Sequence, residues 1–518
     1  MSTITVKKVV FEDEIVLYWE RKRALLKGAR YVVFLDGKLI GSTQKTHYEI
    51  ENLTPNTKYK ISVERIDEDD KLLATLFQGT IQTKKAKKRL DVTKAPYFAV
   101  GDGKTMNTYS IQKALNDCKR GECVYFPKGT YLTGALSVNS DTEIYLSKDA
   151  VLKGSSNIED YQPQIHTRFE GTELFGYRAL LNVGEMNRAP IYNVKNVIIR
   201  GGGKISGGGE ALCFSAVLSQ PNDLSPKDIL DAEGLDICTF AKKYQNKIRD
   251  FGRNRPRLVG VYNAQKIIFG NITFEYGSSW TVHILYSKNV LTYGCSFFTK
   301  GIWNGDGWDP DSSENCTIFG CRFDTHDDAI AIKSGRNLEG CTIARPTKNV
   351  KIFDCIGRIG IAIGSELSGG ILDISVWDCS FTGGRAGFRI KTSKKRGGFV
   401  KNVKVRDCIF SDIHIWAGYP INDDGAGVNT LTEIENVSFE NVESRGGHAL
   451  PLEVEQSFKE RCCIFVQGFE DDITRVHNIQ FKNIKVYPLQ DKALEPVHVQ
   501  NVSEFSLENV SFIDEGRG

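Results

Sequence analysis

Lys288-Asn289-Val290-Leu291, Glu314-Asn315-Cys316-Thr317-Ile318-Phe319 and Lys348-Asn349-Val350-Lys351-Ile352-Phe353 repeat one short pattern: an asparagine, then a β-branched or apolar strand. The step from Asn289 to Asn315 is 26 residues and the step from Asn315 to Asn349 is 34. The pattern recurs at Lys195-Asn196-Val197-Ile198-Ile199, Lys401-Asn402-Val403-Lys404-Val405, Glu435-Asn436-Val437-Ser438-Phe439 and His477-Asn478-Ile479-Gln480-Phe481. A sandwich built from hairpins would turn at much shorter intervals, and helical periodicity is almost absent. A loose repeat of this size predicts an all-β solenoid, a parallel β-helix running over 97–518, with apolar side chains inward and asparagines stacked in inner turns. Residues 209–256 break the repeat. Their helix-like run from Lys227 to Phe251 is expected beside the coils rather than within them.

Ahead of the repeat the texture differs. Ile15-Val16-Leu17-Tyr18-Trp19 and Ala29-Arg30-Tyr31-Val32-Val33-Phe34-Leu35 are strand-like, with Asp36-Gly37 as a hairpin turn. Leu53-Thr54-Pro55 followed by Tyr59 resembles the tyrosine corner of fibronectin type III sandwiches. Residues 1–83 are therefore expected to form one such domain, acting as a spacer. The basic run Lys84-Lys85-Ala86-Lys87-Lys88-Arg89, leading to Ala95-Pro96, is expected to be a solvated linker over 84–96.

Composition narrows the function. The 518 residues carry 67 basic and 64 acidic side chains, a net charge of +3, which excludes a globally basic nucleic-acid binder and an acidic disordered chain. No apolar run is long enough to span a membrane. Met1-Ser2-Thr3-Ile4-Thr5-Val6-Lys7-Lys8 does not resemble a secretory leader. The expected location is cytoplasmic, or secreted if a leader has been trimmed. The 13 cysteines include no CxxC pair and sit mostly in apolar runs. They are expected to be reduced core residues, with no metal site and no cofactor.

In a parallel β-helix, residues one coil apart stack about 4.8 Å apart, so sequence-distant groups line up in columns. Four polar segments form such a column. They are Asn304-Gly305-Asp306-Gly307-Trp308-Asp309-Pro310-Asp311, Thr325-His326-Asp327-Asp328 continuing to Lys333, Gly357-Arg358-Ile359 continuing to Glu366, and Phe388-Arg389-Ile390-Lys391-Thr392. Carboxylates come first and cations follow on neighbouring rungs, which places acid–base groups beside an anion subsite. Adjacent Asp327 and Asp328 would face opposite sides of a regular strand, so the chain must bend there for both to serve one groove. Clustered carboxylates push one pKa up and leave another ionised, the division of labour a glycosidase requires.

On Asn304 and Asp306, the pair Asp327 and Asp328, and Arg389 with Lys391, the chain from about Tyr97 onward resembles glycoside hydrolase family 28, the polygalacturonase-like right-handed parallel β-helices. The resemblance implies inverting hydrolysis of α-1,4-linked galacturonate, and the fused N-terminal sandwich points to its exo-acting branch. It implies Asp327 as general acid, Asp306 and Asp328 on the attacking water, and Arg389 and Lys391 on a substrate carboxylate. Inversion calls for carboxyl groups about 6.5–9.5 Å apart. The family's Gly-His-Gly is replaced here by Gly357-Arg358-Ile359. Arg358 cannot relay a proton at neutral pH, and is expected instead to bind a uronate or orient a carboxylate. His326 is a candidate for the missing imidazole.

Weaker assignments complete the set. Trp280 and His283 are candidates for sugar contact, Trp308 for a stacking wall, and Asn304 for substrate binding. Lys333, with Arg336, Lys394, Lys395 and Arg396, would extend an electropositive groove. Asp309 and Asp311 are expected to brace the turn. The leading expectation is a pectin-degrading glycoside hydrolase acting on a galacturonate-containing polysaccharide or oligosaccharide. A rhamnogalacturonan or xylogalacturonan hydrolase, a pectate-type lyase and a non-catalytic carbohydrate-binding β-helix are the alternatives. Neither nucleic acid nor membrane is an expected partner.

Overall fold

The structure is a computed structural model that describes residues 4–21, 24–244, 246–248, 254–383, 387–419, 425–446, 462–487 and 495–513. The chain divides into two compact units, Met1–Arg89 and Leu90–Gly518.

The first unit has two antiparallel sheets. One holds Lys7–Val10, Ile15–Tyr18 and His47–Ile50; the other holds Arg30–Leu35, Lys38–Thr43, Lys58–Ile66 and Leu72–Gln82. Alternating residues Ile15, Leu17, Tyr31, Val33, Ile61 and Val63 form its core together with Trp19, whose ring meets the edge of Tyr31 at 4.9 Å. The Tyr59 hydroxyl accepts the Thr54 N–H at 2.9 Å, the tyrosine-corner bond that the sequence predicts.

The second unit begins earlier than expected. Leu90 and Val92 already belong to the solenoid core, and the Val92 N–H bonds to Tyr125 O at 3.1 Å. The linker reading over 84–96 followed the charge run and overlooked this apolar alternation just behind it.

Most coils contribute three short parallel strands. The face that matters here is an eleven-stranded parallel sheet that includes Val259–Tyr262, Val282–Leu285, Trp308–Asp311, Ile330–Ile332, Ile361–Gly364, Phe388–Lys391, Ile413–Trp416 and Ile464–Gln467. Val282, Trp308, Ile330, Ile361, Phe388, Ile413 and Ile464 pair in register and point into the core. With a period of two, the next residue of each strand faces outward. Successive outward positions are His283, Asp309, Ala331, Ala362, Arg389, His414 and Phe465.

Like side chains stack along the axis. Tyr293, Phe319, Phe353 and Trp377 form an aromatic column with centroids 5.9, 4.8 and 4.3 Å apart. Cys295, Cys321, Cys355, Cys379 and Cys408 occupy one interior column, each thiol directed at the carbonyl two residues earlier. All 13 cysteines are free, as expected of small core residues. Asn315 bonds to Asn289 at 3.1 Å and Asn349 to Asn315 at 2.6 Å, and the series resumes with Asn402, Asn436 and Asn478. These asparagines adopt φ between 52° and 60°, a left-handed conformation that asparagine tolerates better than most residues. The ladder lies on the outer rim, half-buried or exposed, and not in inner turns.

The insertion is helical but not one long helix. Gly209–Ser219, Pro226–Leu230 and Ile237–Tyr244 are separate. A capping box between Ser225 and Asp228 starts the second, Gly234 at φ +79° breaks the chain, and Asp236 bonds to the N–H groups of Cys238 and Thr239 at the third. The last residues of the expected run, 249–251, lie outside the described residues. The first and third helices share a small core of Cys213, Val217, Ile237, Phe240 and Tyr244, with Ile248 and Ile302, and the second buries no residue.

Candidate active site

The acidic residues lie at one recurring corner, where each coil enters the eleven-stranded sheet. Asp306 precedes the strand Trp308–Asp311, and Asp327 and Asp328 occupy the bend before Ile330–Ile332. The Gly307 N–H bonds to Asp328 O at 3.1 Å, tying the two corners together. The chain therefore bends at Asp327 and Asp328, as the sequence requires if both are to serve one groove. Asp327 Oδ1 accepts the Asp328 N–H at 3.0 Å. Asp327 is half-buried, whereas Asp306 and Asp328 are 3% and 5% exposed.

Cations from later rungs reach back to these acids. Lys391 Nζ donates to Asp328 Oδ2 at 2.8 Å and lies 5.4 Å from the Tyr419 ring centroid. Burial works against its charge, but Asp328 first, then Tyr419 and Asp327, hold the ammonium above its ordinary pKa. Lys333 Nζ lies 3.2 Å from Glu366 Oε2, 3.7 Å from Asp306 Oδ2 and 4.2 Å over the Trp280 ring. Burial again opposes the charge, and Glu366 and Asp306 outweigh it, so the pKa rises. The Glu366 carboxyl is held at about 2, because Lys333 and Arg396 overcome the effect of its burial. The Arg389 guanidinium has neither a hydrogen bond nor an ion pair with any described residue, and its Nε is buried. An unpaired guanidinium one face-period from Lys391 is suited to a carboxylate ligand.

Burial pushes Asp306 well above the usual carboxylate range, Asp309 raises it further and Lys333 opposes. Asp309 is wholly buried, and burial raises it to about 8 against the pull of Lys333 and Arg257. The expectation that Asp309 merely braces a turn misses this position. Its signal was parity: three residues beyond Asp306, it occupies the outward column.

Several candidates do not reach the groove. Trp308 is fully buried in the solenoid core with its Nε1–H on Thr292 Oγ1 at 3.1 Å, so it forms no stacking wall. It shares the inward parity of Ile330. Trp280, 3% exposed, is covered by Phe169, Arg257 and Lys333. Phe169 belongs to the hairpin Ile165–Phe169 and Thr172–Gly176, for which the sequence reading had no signal. His283 is fully buried with Nε2 3.2 Å from Asp311 Oδ2, and burial lowers it to about 4, so it is neutral near pH 7. Arg168, from the same hairpin, donates to Asp311 at 2.6 Å and to the Tyr286 hydroxyl, closing the lid over His283. Asp311 is thus an anchor for the hairpin, held at about 2 because Arg168 and His283 outweigh its burial. Lys333 is a buried counter-ion rather than an exposed groove cation.

Asn304, at φ +49°, accepts Arg255 Nη2 at 2.8 Å, and Arg255 also donates to Trp303 O at 2.7 Å. Its amide oxygen braces the turn that delivers Asp306, and the residue itself is half-buried. His326 Nδ1 accepts the Gly301 N–H from the turn before Asn304 at 3.3 Å and lies 4.0 Å from Cys238 Sγ of the helical insertion. Arg358 stands on the rim, its Nε 3.6 Å from Asp324 Oδ1. A Cβ at Gly383 would come within 2.5 Å of Arg358 Cγ, so the glycine on the following rung leaves it room. Arg396 is buried with its Nε on Ser365 O at 2.9 Å, and Lys394 pairs with Asp471, so neither extends a cationic groove. A cavity of about 470 Å³ lies between the hairpin and the helix Asn337–Ile343, with Phe169, Glu170, Arg336 and Glu339 in its walls.

The model of glycosyl hydrolases family 28 matches residues 138–467. A probable polygalacturonase of Vitis vinifera is 31% identical over 320 residues, 60% of this chain and 58% of that protein. An exo-poly-alpha-D-galacturonosidase of Dickeya chrysanthemi is 26% identical over 378 residues, 70% of this chain and 62% of that protein. The chain thus matches about six-tenths of these relatives' length. A solved family 28 exopolygalacturonase of Yersinia enterocolitica has the same fold, with a TM-score of 0.79 at 20% identity, covering 99% of this chain and 96% of that one.

Proposed function

The chain belongs to glycosyl hydrolases family 28, and from that premise we propose that it hydrolyses α-1,4-galacturonosyl linkages of pectic chains or oligogalacturonides, working from chain ends with inversion. One observation carries the reading. Asp306, Asp327 and Asp328 share a corner with Lys391, while Arg389 on the same strand as Lys391 has no described partner. A polyanionic substrate supplies the carboxylate that Arg389 lacks.

Asp327, the most exposed of the three, gives its proton to the glycosidic oxygen as the C1–O bond breaks. Water attacks C1 from the opposite face, and its proton passes to the Asp306 and Asp328 side. Lys391 gives Asp328 a charge-assisted bond, and Lys333, 3.7 Å from Asp306, opposes the rise that burial imposes on that carboxyl. The names of the Dickeya and Yersinia relatives support action at chain ends. So does the hairpin, whose Gly171 packs against Glu366 and Arg336 beside the acids. Arg358, in place of an imidazole, favours one second reading, a hydrolase of rhamnogalacturonan or xylogalacturonan.

Defined oligomers of galacturonate, rhamnogalacturonan and xylogalacturonan, digested and followed by proton NMR, test both readings. Monomeric β-galacturonate released first from oligogalacturonides is the expected result. Release only from the branched or mixed chains would select the second reading, and an unsaturated, ultraviolet-absorbing product would replace hydrolysis by elimination. Asp327→Asn is expected to lower kcat by about 10²-fold or more; full activity in that variant would remove the acid assignment.

A further inference from the structure

The Lys333 ammonium is held on three sides. Its Nζ lies 3.2 Å from Glu366 Oε2, 3.7 Å from Asp306 Oδ2 and 4.2 Å over the Trp280 ring. A cation already close to one carboxylate acts less on a second, and the Glu366 contact is the shorter of the two. Glu366 is itself held in place. Its carbonyl accepts the Ser334 N–H at 2.7 Å, and Arg396 Nε donates to Ser365 O at 2.9 Å just before it. Gly171 at the hairpin tip closes in on the side chain, where an added Cβ would stand 2.8 Å from Glu366 Cγ. With the Glu366 side chain 14% exposed and that of Lys333 5%, solvent screens this pair little.

We propose that Glu366 is a positioning residue for the hydrolysis: by sharing Lys333 with Asp306, it sets how much of that ammonium's charge reaches the carboxyl on the attacking water. The inference rests on the hydrolase reading above and adds to it a residue that acts only through Lys333. Asp306 must be ionised to take the proton released by water, so activity falls as the pH drops through its pKa. Lys333 lowers that pKa, and Glu366 limits the lowering by drawing the ammonium to itself. The remaining charges near Asp306 have fixed roles. Asp327 and Asp328 at the next corner, and Asp309 on the strand that follows, oppose its ionisation. Lys391 is paired with Asp328 at 2.8 Å, and Arg396 lies behind Glu366 on Ser365. Arg257 is stacked 4.2 Å from Phe169 and 4.3 Å from Trp280, and His283 is neutral near pH 7. Among the described residues, Lys333 is the one cation within 4 Å of Asp306, so the division of its charge is felt there.

Glu366→Gln keeps the shape and removes the charge; Lys333→Met removes the ammonium. The two should move the acid limb of kcat in opposite directions, down by roughly half to one pH unit in Glu366→Gln and up by roughly one to two in Lys333→Met. The double variant should leave the limb where Lys333→Met puts it, because the cation through which Glu366 acts is gone. An equal downward shift in that background would mean direct repulsion between the two carboxylates and would remove the positioning role. A purely structural residue would lower the melting temperature and leave the limb unmoved, which would also overturn the proposal. Glu366→Gln is isosteric, so it decides the matter even where Lys333→Met does not fold. Infrared difference spectroscopy over a pH series reads Asp306 without substrate, through the carboxyl band that Asp306→Asn loses. Its midpoint should lie below the wild-type value in Glu366→Gln and above it in Lys333→Met, and any other order contradicts the inference. If the wild type binds uronates without cleaving them, the hydrolase reading fails, while the infrared midpoints still decide whether Glu366 governs Asp306.

Discussion

Lys333→Met removes the charge that holds the centre of the site together, with little change in volume. Lys333 Nζ is 3.7 Å from Asp306 and 3.2 Å from Glu366, and its side chain is 5% exposed. At an effective dielectric constant of about 20, an ion pair at the 3.7 Å separation is worth about 4.5 kcal/mol before desolvation. Removing one partner of a buried pair typically costs about 3–5 kcal/mol, because the other charge is left buried alone. The pH dependence separates this electrostatic loss from a packing loss. Glu366 is held at about 2 in the folded chain, against about 4.3 unfolded. A carboxylate depressed by folding adds stability above its unfolded pKa and loses it as the pH falls through its folded one. Glu366 therefore adds about 3 kcal/mol above roughly pH 5, and that contribution fades toward pH 2. The gap between wild type and Lys333→Met should be about 3–5 kcal/mol at pH 7 and shrink by roughly 1.5–2 kcal/mol by pH 3, the rest of the Glu366 contribution going only below pH 2. Urea unfolding followed by tryptophan fluorescence is suited to the measurement, since Lys333 lies 4.2 Å over the Trp280 ring. A gap below about 1 kcal/mol at pH 7, the size expected of an exposed pair, would refute the reasoning. So would a gap equal at both pH values.

Three further outcomes are expected. Arg389→Met should lower kcat/KM on oligogalacturonides roughly 10- to 150-fold, the worth of a charge-assisted bond, with an unchanged melting temperature; a fall in melting temperature without a kinetic effect would contradict the anion-site assignment. His283 is held neutral at about 4 by burial, so the folded state binds fewer protons than the unfolded one, and stability should climb by about 3 kcal/mol between roughly pH 4 and 6.5. His283→Gln should flatten that climb in a pH series of urea midpoints, and a persisting slope of the same size would assign it elsewhere. Asn315, at φ +57°, bonds to both neighbours in its ladder. Asn315→Ala and Asn315→Gly both lose those bonds, but alanine also meets the left-handed penalty, so Ala should be about 1 kcal/mol less stable than Gly; equal values would mean that the backbone conformation relaxes.

The legible part of this molecule is what repeats. Asp309 and Asp311, Ala331 and Lys333, and Arg389 and Lys391 alternate with Trp308, Ile330, Ile332, Phe388 and Ile390, so the register of the site sheet follows from parity and the Asn-Val steps. Parity also assigns Trp308 to the core, and size alone made it resemble a sugar wall. The convergence of Asp306, Asp327, Asp328 and Lys391 was readable because one coil separates each corner from the next. What breaks the repeat was not readable. Trp280 and His283 lie under a hairpin whose anchor, Arg168 on Asp311, spans 143 residues. Arg255 reaches Asn304 from the end of an insertion. No local spacing encodes such pairs, because they depend on where an excursion returns. The breaks inside the insertion were local: Ser225-Pro226 with Asp228, and Gly234, mark them.

Because Asp306, Asp327 with Asp328, Arg358 with Glu366, and Arg389 with Lys391 come from four consecutive coils, their separations along the axis change only in steps of about 4.8 Å. Fine adjustment falls to the corners, where Arg255 sets the turn at Asn304 and Lys391 reaches back across two coils to Asp328. A change of substrate length or charge spacing would therefore arise by adding or deleting a whole coil, or by remodelling a corner, and hardly at all by gradual drift of the sheet.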